Sequence, residues 1–288
     1  MYFCTEKDSK PRFAKNMSGY TPKLEDIPNY MKKILTVLAT LILGVTIMQA
    51  HEIKKVENKV ENGYNFWLAT PEGGEDDPVG KPLVVFLHGS SLSGTNMEKL
   101  KKYGSLSALL RGRNIDAYVV APQSPGGGWK PDKVWNVIDY VLDECNVDTT
   151  RVYVLGMSLG GYGTLDVAAT YPDRIAAAIA MCGGATVKDL TGLAEMPLWI
   201  IHGTGDSAVS VSKSDQVVDV IRKTQKKKGI ADRLTYDRIP GMNHSQPARL
   251  FNHIDIYDWL FQHSLDDKGR PTAEPSELTK EFWDSCYK

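Results

Sequence analysis

The 288-residue chain is short of several things, and each shortage excludes a class of answer. It has four cysteines, of which Cys145, Cys182 and Cys286 lie after residue 50. An odd number cannot complete a disulfide framework, though one bridge stays open, and none of the spacings suits zinc. Cys182 ends an apolar run and reads as a buried small hydrophobe. Charge of one sign is also lacking: 34 Lys and Arg stand against 35 Asp and Glu, a formal net charge of -1. That balance gives no ground for a nucleic-acid partner. The basic run Lys226-Lys227-Lys228 before Gly229 reads as a solvated helix end. No internal repeat or low-complexity domain is present. Long hydrophobic runs are absent too, with one exception near the N-terminus.

That exception is Ile34 to Met48, preceded by Met31-Lys32-Lys33 and followed by Gln49-Ala50. A basic start, a short apolar core and a small residue describe a secretory signal peptide over residues 31–50, with cleavage after Ala50. A retained signal anchor is the alternative; no cysteine stands where a lipid anchor would need one. The expectation is a secreted or periplasmic protein with no stable membrane insertion after cleavage. Residues 1–30 form a polar extension that would be explained if translation starts at Met31. Residues 51–265 read as one domain. Residues 266–288 read as a polar tail that either packs through Phe282 and Trp283 or stays unfolded.

Short apolar runs alternate with helical periodicity across residues 51–265. Strands are expected around Val56–Thr70, then at Leu83–Leu87, Ala117–Ala121, Arg151–Leu155, Ile175–Met181, Leu198–Ile201 and Leu234–Ile239. Helices are expected at Leu100–Leu110, Val134–Glu144, Gly163–Thr170, Ser214–Lys228 and Leu250–Leu260. This order predicts an α/β fold with a mostly parallel central sheet and helices on both faces. Such sheets gather ligands at the carboxyl ends of their strands.

Three segments that follow strands carry the chemistry. Gly156-Met157-Ser158-Leu159-Gly160-Gly161 places a serine between glycines at a strand-to-helix corner. A sharp turn there lifts the hydroxyl clear of the sheet, and the glycines relieve crowding. Serine is a poor nucleophile at neutral pH without a base. His244, in the loop after the last strand, is the expected base. Asp206, in the loop after the penultimate strand, would orient it. The oxyanion hole is expected at the backbone N–H of Leu159 and one near Ser90. His88 and His202 end strands ahead of glycines and are expected to hold loop geometry by hydrogen bonds. His253 and His263 are read as helix positions. Gln123 and Trp129 lie in Pro122-Gln123-Ser124-Pro125-Gly126-Gly127-Gly128-Trp129, on the same sheet edge. They are candidate substrate contacts; Trp129 serves either as an apolar wall or as loop packing.

These blocks, in this order, resemble the α/β-hydrolase superfamily. The pattern is nearest to bacterial feruloyl and acetylxylan esterase-like proteins and prolyl-oligopeptidase-like predicted peptidases. The resemblance runs over roughly Tyr64 to Leu265. Gly205 departs from the more usual Ala or Glu of the acid block, and Ser210 stands where proline is usual. The resemblance implies the α/β-hydrolase fold and acyl transfer to water through Ser158, His244 and Asp206, with no metal or organic cofactor. It further implies a small ester or an esterified oligosaccharide as substrate, with feruloyl or acetyl groups on plant-type carbohydrate. A small serine peptidase is the alternative, and a carbohydrate-binding protein without activity is a third reading. A homodimer is left open, because no interface signal is legible.

Overall fold

A computed structural model describes Pro28 and residues 51–253, 255–267 and 269. The expected signal peptide, Cys286 and the aromatic residues of the tail lie outside the described residues. Residues from Met48 onward cluster as one unit, to which the description below is confined.

Among the described residues eight strands form one sheet: β1 (Glu52–Val56), β2 (Phe66–Thr70), β3 (Lys81–Leu87), β4 (Tyr118–Pro122), β5 (Val147–Met157), β6 (Ala177–Met181), β7 (Leu198–Gly203) and β8 (Leu234–Ile239). Their spatial order is β1-β2-β4-β3-β5-β6-β7-β8. β2 pairs antiparallel with β1 and β4, and every later neighbour is parallel. The α-helices among the described residues are α1 (Ser105–Leu110), α2 (Pro131–Glu144), α3 (Leu159–Thr170), α4 (Ser212–Lys228) and α5 (Asp255–Phe261).

Alternation along the strands divides the core into two layers. Leu83, Val85, Val152, Val154, Leu198 and Ile200 face α2, α3 and α4. Val84, Phe86, Tyr153, Leu155, Trp199 and Ile201 face α1 and α5. Leu83 through Leu87 are all inaccessible to solvent, as a strand covered on both faces requires. Lys226, Lys227 and Lys228 fill the last turn of α4, and Gly229 closes it in the left-handed region (φ 67°). The cations therefore face the negative end of the helix dipole, as expected of that run.

Several predicted boundaries move. The helix expected at Leu100–Leu110 is split into a 3-10 turn at Met97–Lys101 and α1. Gly104 causes the break: it sits at φ 97°, and a Cβ there would overlap the Phe86 ring. The helix expected at Leu250–Leu260 is likewise a 3-10 segment, Gln246–Asn252, followed by α5. His253 is extended, and the Tyr257 hydroxyl takes the Phe251 carbonyl at 2.8 Å. His253 and His263 accordingly fall outside helix, and His263 is buried. β5 starts at Val147, hidden in the sequence by the polar Asp148–Arg151 stretch, because Lys81 of β3 pairs with it.

α3 begins at Leu159, four residues before its predicted start, despite three glycines in its first five positions. Helical glycine is disfavoured by about 1 kcal/mol relative to alanine. The contacts explain its presence: a Cβ at Gly160 would overlap the Leu87 carbonyl, and one at Gly161 the Met181 carbonyl. Replacing Gly160 by alanine is therefore expected to lower stability by about 1–3 kcal/mol through overpacking. Urea unfolding at pH 7 measures it; a variant as stable as the parent would refute this close approach.

Candidate active site

β5 ends at Met157 and α3 starts at Leu159, so Ser158 alone makes the corner. Its backbone adopts φ 59°, ψ −123°, outside the ordinary range for a residue with a side chain. Such strain amounts to about 1–3 kcal/mol and persists only where the surroundings enforce it. Here Ser158 N–H donates to the Met181 carbonyl at 2.8 Å, and Ser158 O accepts from Tyr162 N–H at 3.0 Å. A Cβ at Gly156 would come within 2.5 Å of both the Leu87 and Gly160 carbonyls. The glycines on both sides thus let β3, β5 and α3 meet at one point. Leu159 N–H opens the helix and has no intrahelical acceptor.

Two further loops converge on Ser158. After β7, Gly205 N–H donates to the Met242 carbonyl at 3.1 Å, and after β8, Gly241 N–H donates to Thr204 Oγ1 at 2.9 Å. A Cβ at Gly205 would lie 2.6 Å from the Gly241 carbonyl, which explains glycine there in place of Ala or Glu. Ser210, at the position where proline is usual, pairs its hydroxyl with that of Ser212 at 2.9 Å beside the start of α4. The acid loop keeps its course. His244 Nδ1–H donates to Asp206 Oδ2 at 2.6 Å, and His244 Nε2 accepts from Ser158 Oγ at 2.9 Å. The imidazole is partly exposed, whereas the Asp206 side chain is closed to solvent. Ser158, His244 and Asp206, separated by up to 86 residues of chain, form one continuous hydrogen-bonded line with the geometry of a serine-hydrolase triad.

Asp206 Oδ1 accepts from the Ala208 and Val209 N–H groups at 2.9 and 2.8 Å. Burial alone would raise its proton affinity. The Val209 N–H and His244 outweigh that and hold the carboxyl below its ordinary range. A second histidine, His202, also stands beside Asp206, and its other nitrogen lies 2.8 Å from Ser214 Oγ. This inner Ser-His-Asp set is sealed from solvent, and its serine hydroxyl also reaches the Gly183 carbonyl at 2.8 Å. It cannot meet a substrate. Cys182 Sγ, His202 and Asp206 are the one cluster of metal-type ligands among the described residues. Its histidine already faces the Val209 carbonyl and its carboxylate the His244 ring, so the set is committed without a metal. Cys145 and Cys182 are both free thiols.

The loop after β3 covers the other side of Ser158. A Cβ at Gly89 would lie 3.4 Å from that of Ser158, so glycine permits this approach. Gly89 N–H is taken by the Tyr103 hydroxyl at 2.9 Å. Ser90 is exposed and opens a 3-10 turn. Tyr103 escapes sequence reading because it lies in a stretch read as plain helix. His88 behaves as expected: Nδ1–H donates to the Gly89 carbonyl at 2.7 Å, and Nε2 accepts from Ser124 N–H at 3.0 Å.

Trp129 and Gln123 are more deeply set than substrate contacts would suggest. Trp129 is buried, donates its indole N–H to the His88 carbonyl at 3.1 Å and stacks edge-on against His88 and Tyr64. It still contributes, with Leu159, Tyr162, Gly127 and Gly128, to the wall of a cavity of about 260 Å³. Gln123 Nε2 donates to the Leu92 and Asn96 carbonyls at 3.0 and 2.9 Å, bracing the loop after β3. It lines a separate cavity of about 220 Å³ with Tyr64, Asn65, Thr95 and Lys133.

Residues 84–272 match the family described as Alpha/beta hydrolase family. Poly(3-hydroxyalkanoate) depolymerase C of Paucimonas lemoignei is 30% identical over 175 residues, covering 54% of this chain and 40% of the relative. A bifunctional acetylxylan esterase/xylanase of Neocallimastix patriciarum is 24% identical over 219 residues, covering 70% of this chain and 30% of the relative. The chain thus spans well under half the length of these relatives. The feruloyl esterase module from Clostridium thermocellum, complexed with sinapinate, has the same fold: TM-score 0.56 at 15% identity, covering 80% of this chain and 92% of that one.

Burial pushes the His88 imidazole down from 6.5 to about 4 and lowers His202 as well. The unfolded chain therefore binds protons more readily than the folded one below about pH 6.5, and stability falls with pH until His88 itself titrates near pH 4. Melting temperature is expected to decline steadily from pH 7 to pH 4.5, with a shallower decline in His88→Asn. A melting temperature independent of pH over that range would contradict the neutral, buried assignment.

Proposed function

Because the chain belongs to the alpha/beta hydrolase family, we propose that it is a serine carboxylic-ester hydrolase that acts outside the cytoplasm on feruloyl or acetyl esters of plant-type carbohydrate. The hydrogen-bonded line from Asp206 through His244 to Ser158 carries the reading. The carbohydrate-ester part draws on the acetylxylan esterase activity named for one relative and on the fold shared with a feruloyl esterase module. Export rests on the signal-like segment at residues 31–50.

The chemistry follows from the protons. His244 holds its own proton on Nδ1, against Asp206, so its Nε2 is free to take the Ser158 proton as Oγ attacks the ester carbonyl. The Leu159 N–H at the start of α3, with that of Ser90, receives the developing oxyanion. His244 then protonates the departing alcohol. Water, deprotonated by the same Nε2, attacks the acyl-serine, releases the acid and returns the proton to Ser158. Asp206 stays ionised and stabilises the imidazolium. The cavity beside Leu159, Tyr162 and Trp129 would receive the acyl or sugar portion.

The test is hydrolysis of methyl ferulate and of an acetylated xylooligosaccharide by the chain from His51, beside Ser158→Ala. At least one ester should be turned over, with kcat/KM reduced about 10⁴-fold or more in the variant. Unchanged turnover in Ser158→Ala would sink the assignment. Cleavage of unmodified peptides with little ester turnover would replace it with a peptidase.

A further inference from the structure

The buried histidine behind Asp206 is absorbed by neither the fold nor the reaction above. His202 ends β7 and is closed to solvent. Its Nε2 faces two oxygens that can only accept: the Val209 carbonyl at 3.0 Å and Asp206 Oδ2 at 3.2 Å. In the neutral ring the proton sits on Nε2, and Nδ1 then accepts the one Ser214 Oγ proton at 2.8 Å, in place of the Gly183 carbonyl at the same distance. Burial keeps the ring neutral by lowering its proton affinity. Asp206 Oδ2 is consequently shared between two imidazole N–H groups, the nearer from His244 and the farther from His202.

The remaining neighbours of the carboxylate come from every element around it. The Ala208 and Val209 N–H groups hold Oδ1. From the end of β6 the Cys182 thiol reaches Asp206, and burial together with that carboxylate pushes its proton affinity up, so it stays an S–H donor. From α3, Tyr162 feels the same negative charge. The His244 imidazole on the other side of the carboxylate is partly open to solvent.

We propose that His202 is a positioning residue for ester hydrolysis: its Nε2–H, with the ring held at Nδ1 by the Ser214 hydroxyl, fixes the Asp206 carboxylate and draws off part of its charge, and thereby sets the orientation and basicity of His244. This rests on Ser158, His244 and Asp206 being the catalytic set. A carboxylate with one donor fewer swings more freely and holds the His244 imidazolium more tightly. Both effects slow proton return to the leaving group.

Asparagine and glutamine separate this role from simple packing. An asparagine amide N–H lies near the imidazole Nδ1 position and abandons Asp206, whereas a glutamine amide N–H reaches the Nε2 position. Turnover of methyl acetate, whose alkoxide must be protonated as it leaves, is measured from pH 5 to 9 for the parent, His202→Asn, His202→Gln, Ser214→Ala and Ser158→Ala, each checked for melting temperature. His202→Asn should lose about ten-fold in kcat with KM little changed, and the acid limb of its pH–rate profile should move up by about half a pH unit. His202→Gln should recover most of the loss. A folded His202→Asn with parental kcat and an unmoved acid limb would overturn the proposal, as would a glutamine variant no better than asparagine. Should His202→Asn fail to fold, Ser214→Ala decides: a smaller loss of about three-fold with the same shift supports the role, and a parental profile removes it. Turnover retained in Ser158→Ala would remove the catalytic set and this role together. An inactive Ser158→Ala beside a parental His202→Asn would remove this role alone.

Discussion

The site depends on a contact between backbones. Leu87 of β3, Gly156 of β5 and Gly160 of α3 approach so closely that a Cβ at either glycine would collide with a carbonyl. This contact allows α3 to begin at the residue after Ser158 and holds Ser158 in its strained, positive-φ conformation. It also brings the loop after β3 over the nucleophile. The placement of the hydroxyl, of the helix-start N–H and of the loop after β3 thus follows from one steric arrangement. The unfavourable helix propensity of three glycines is offset by close packing of α3 against both neighbouring strands.

A second constraint fixes the base. The loops after β7 and β8 are sewn to each other by backbone bonds at Thr204 and Gly205 and by the Gly241 N–H on the Thr204 hydroxyl before Asp206 and His244 meet. The Asp206–His244 bond therefore joins two segments already placed by the sheet, and little ordering entropy remains to oppose it. The acid is further held from behind by two N–H groups, a thiol and a second imidazole. Catalytic geometry of this kind is built from groups that never touch substrate.

Much of this was legible in the residues. Apolar runs such as Leu83–Leu87 and Leu198–Ile201 marked strands because both sheet faces are covered, and glycine-framed Ser158 marked the corner. His88 and His202 were readable as structural histidines because each precedes a glycine at a strand end. Other features left no local trace. The split at Gly104 depends on a ring from β3, and the early start of α3 on carbonyls of two other strands. Tyr103 holds the Gly89 N–H from 14 residues away, and Ser214 supports His202 from within a polar helix. Periodicity reports which face of an element is apolar; it carries no information about polar contacts made between elements. Trp129 shows the same limit, since its indole N–H is spent on the His88 carbonyl.

The wall formed by Gly127 and Gly128 has a bearing on how substrate range can change. Both lie at positive φ with open space where a side chain would stand. The two glycines themselves offer no side chain, so shape and polarity come from the other lining residues: Lys130, Asp166 and Thr186, and Leu159 and Tyr162 of α3. That helix is locked against the carbonyls of two strands, and Leu159 also supplies the N–H beside the nucleophile. The cavity wall and the nucleophile corner therefore share one helical turn: the side chains at 159 and 162 shape the space, and the turn that carries them is held in place by the strands. Any change in the volume of this cavity would come from side-chain replacement on a rigid rail, while the glycine wall supplies the clearance.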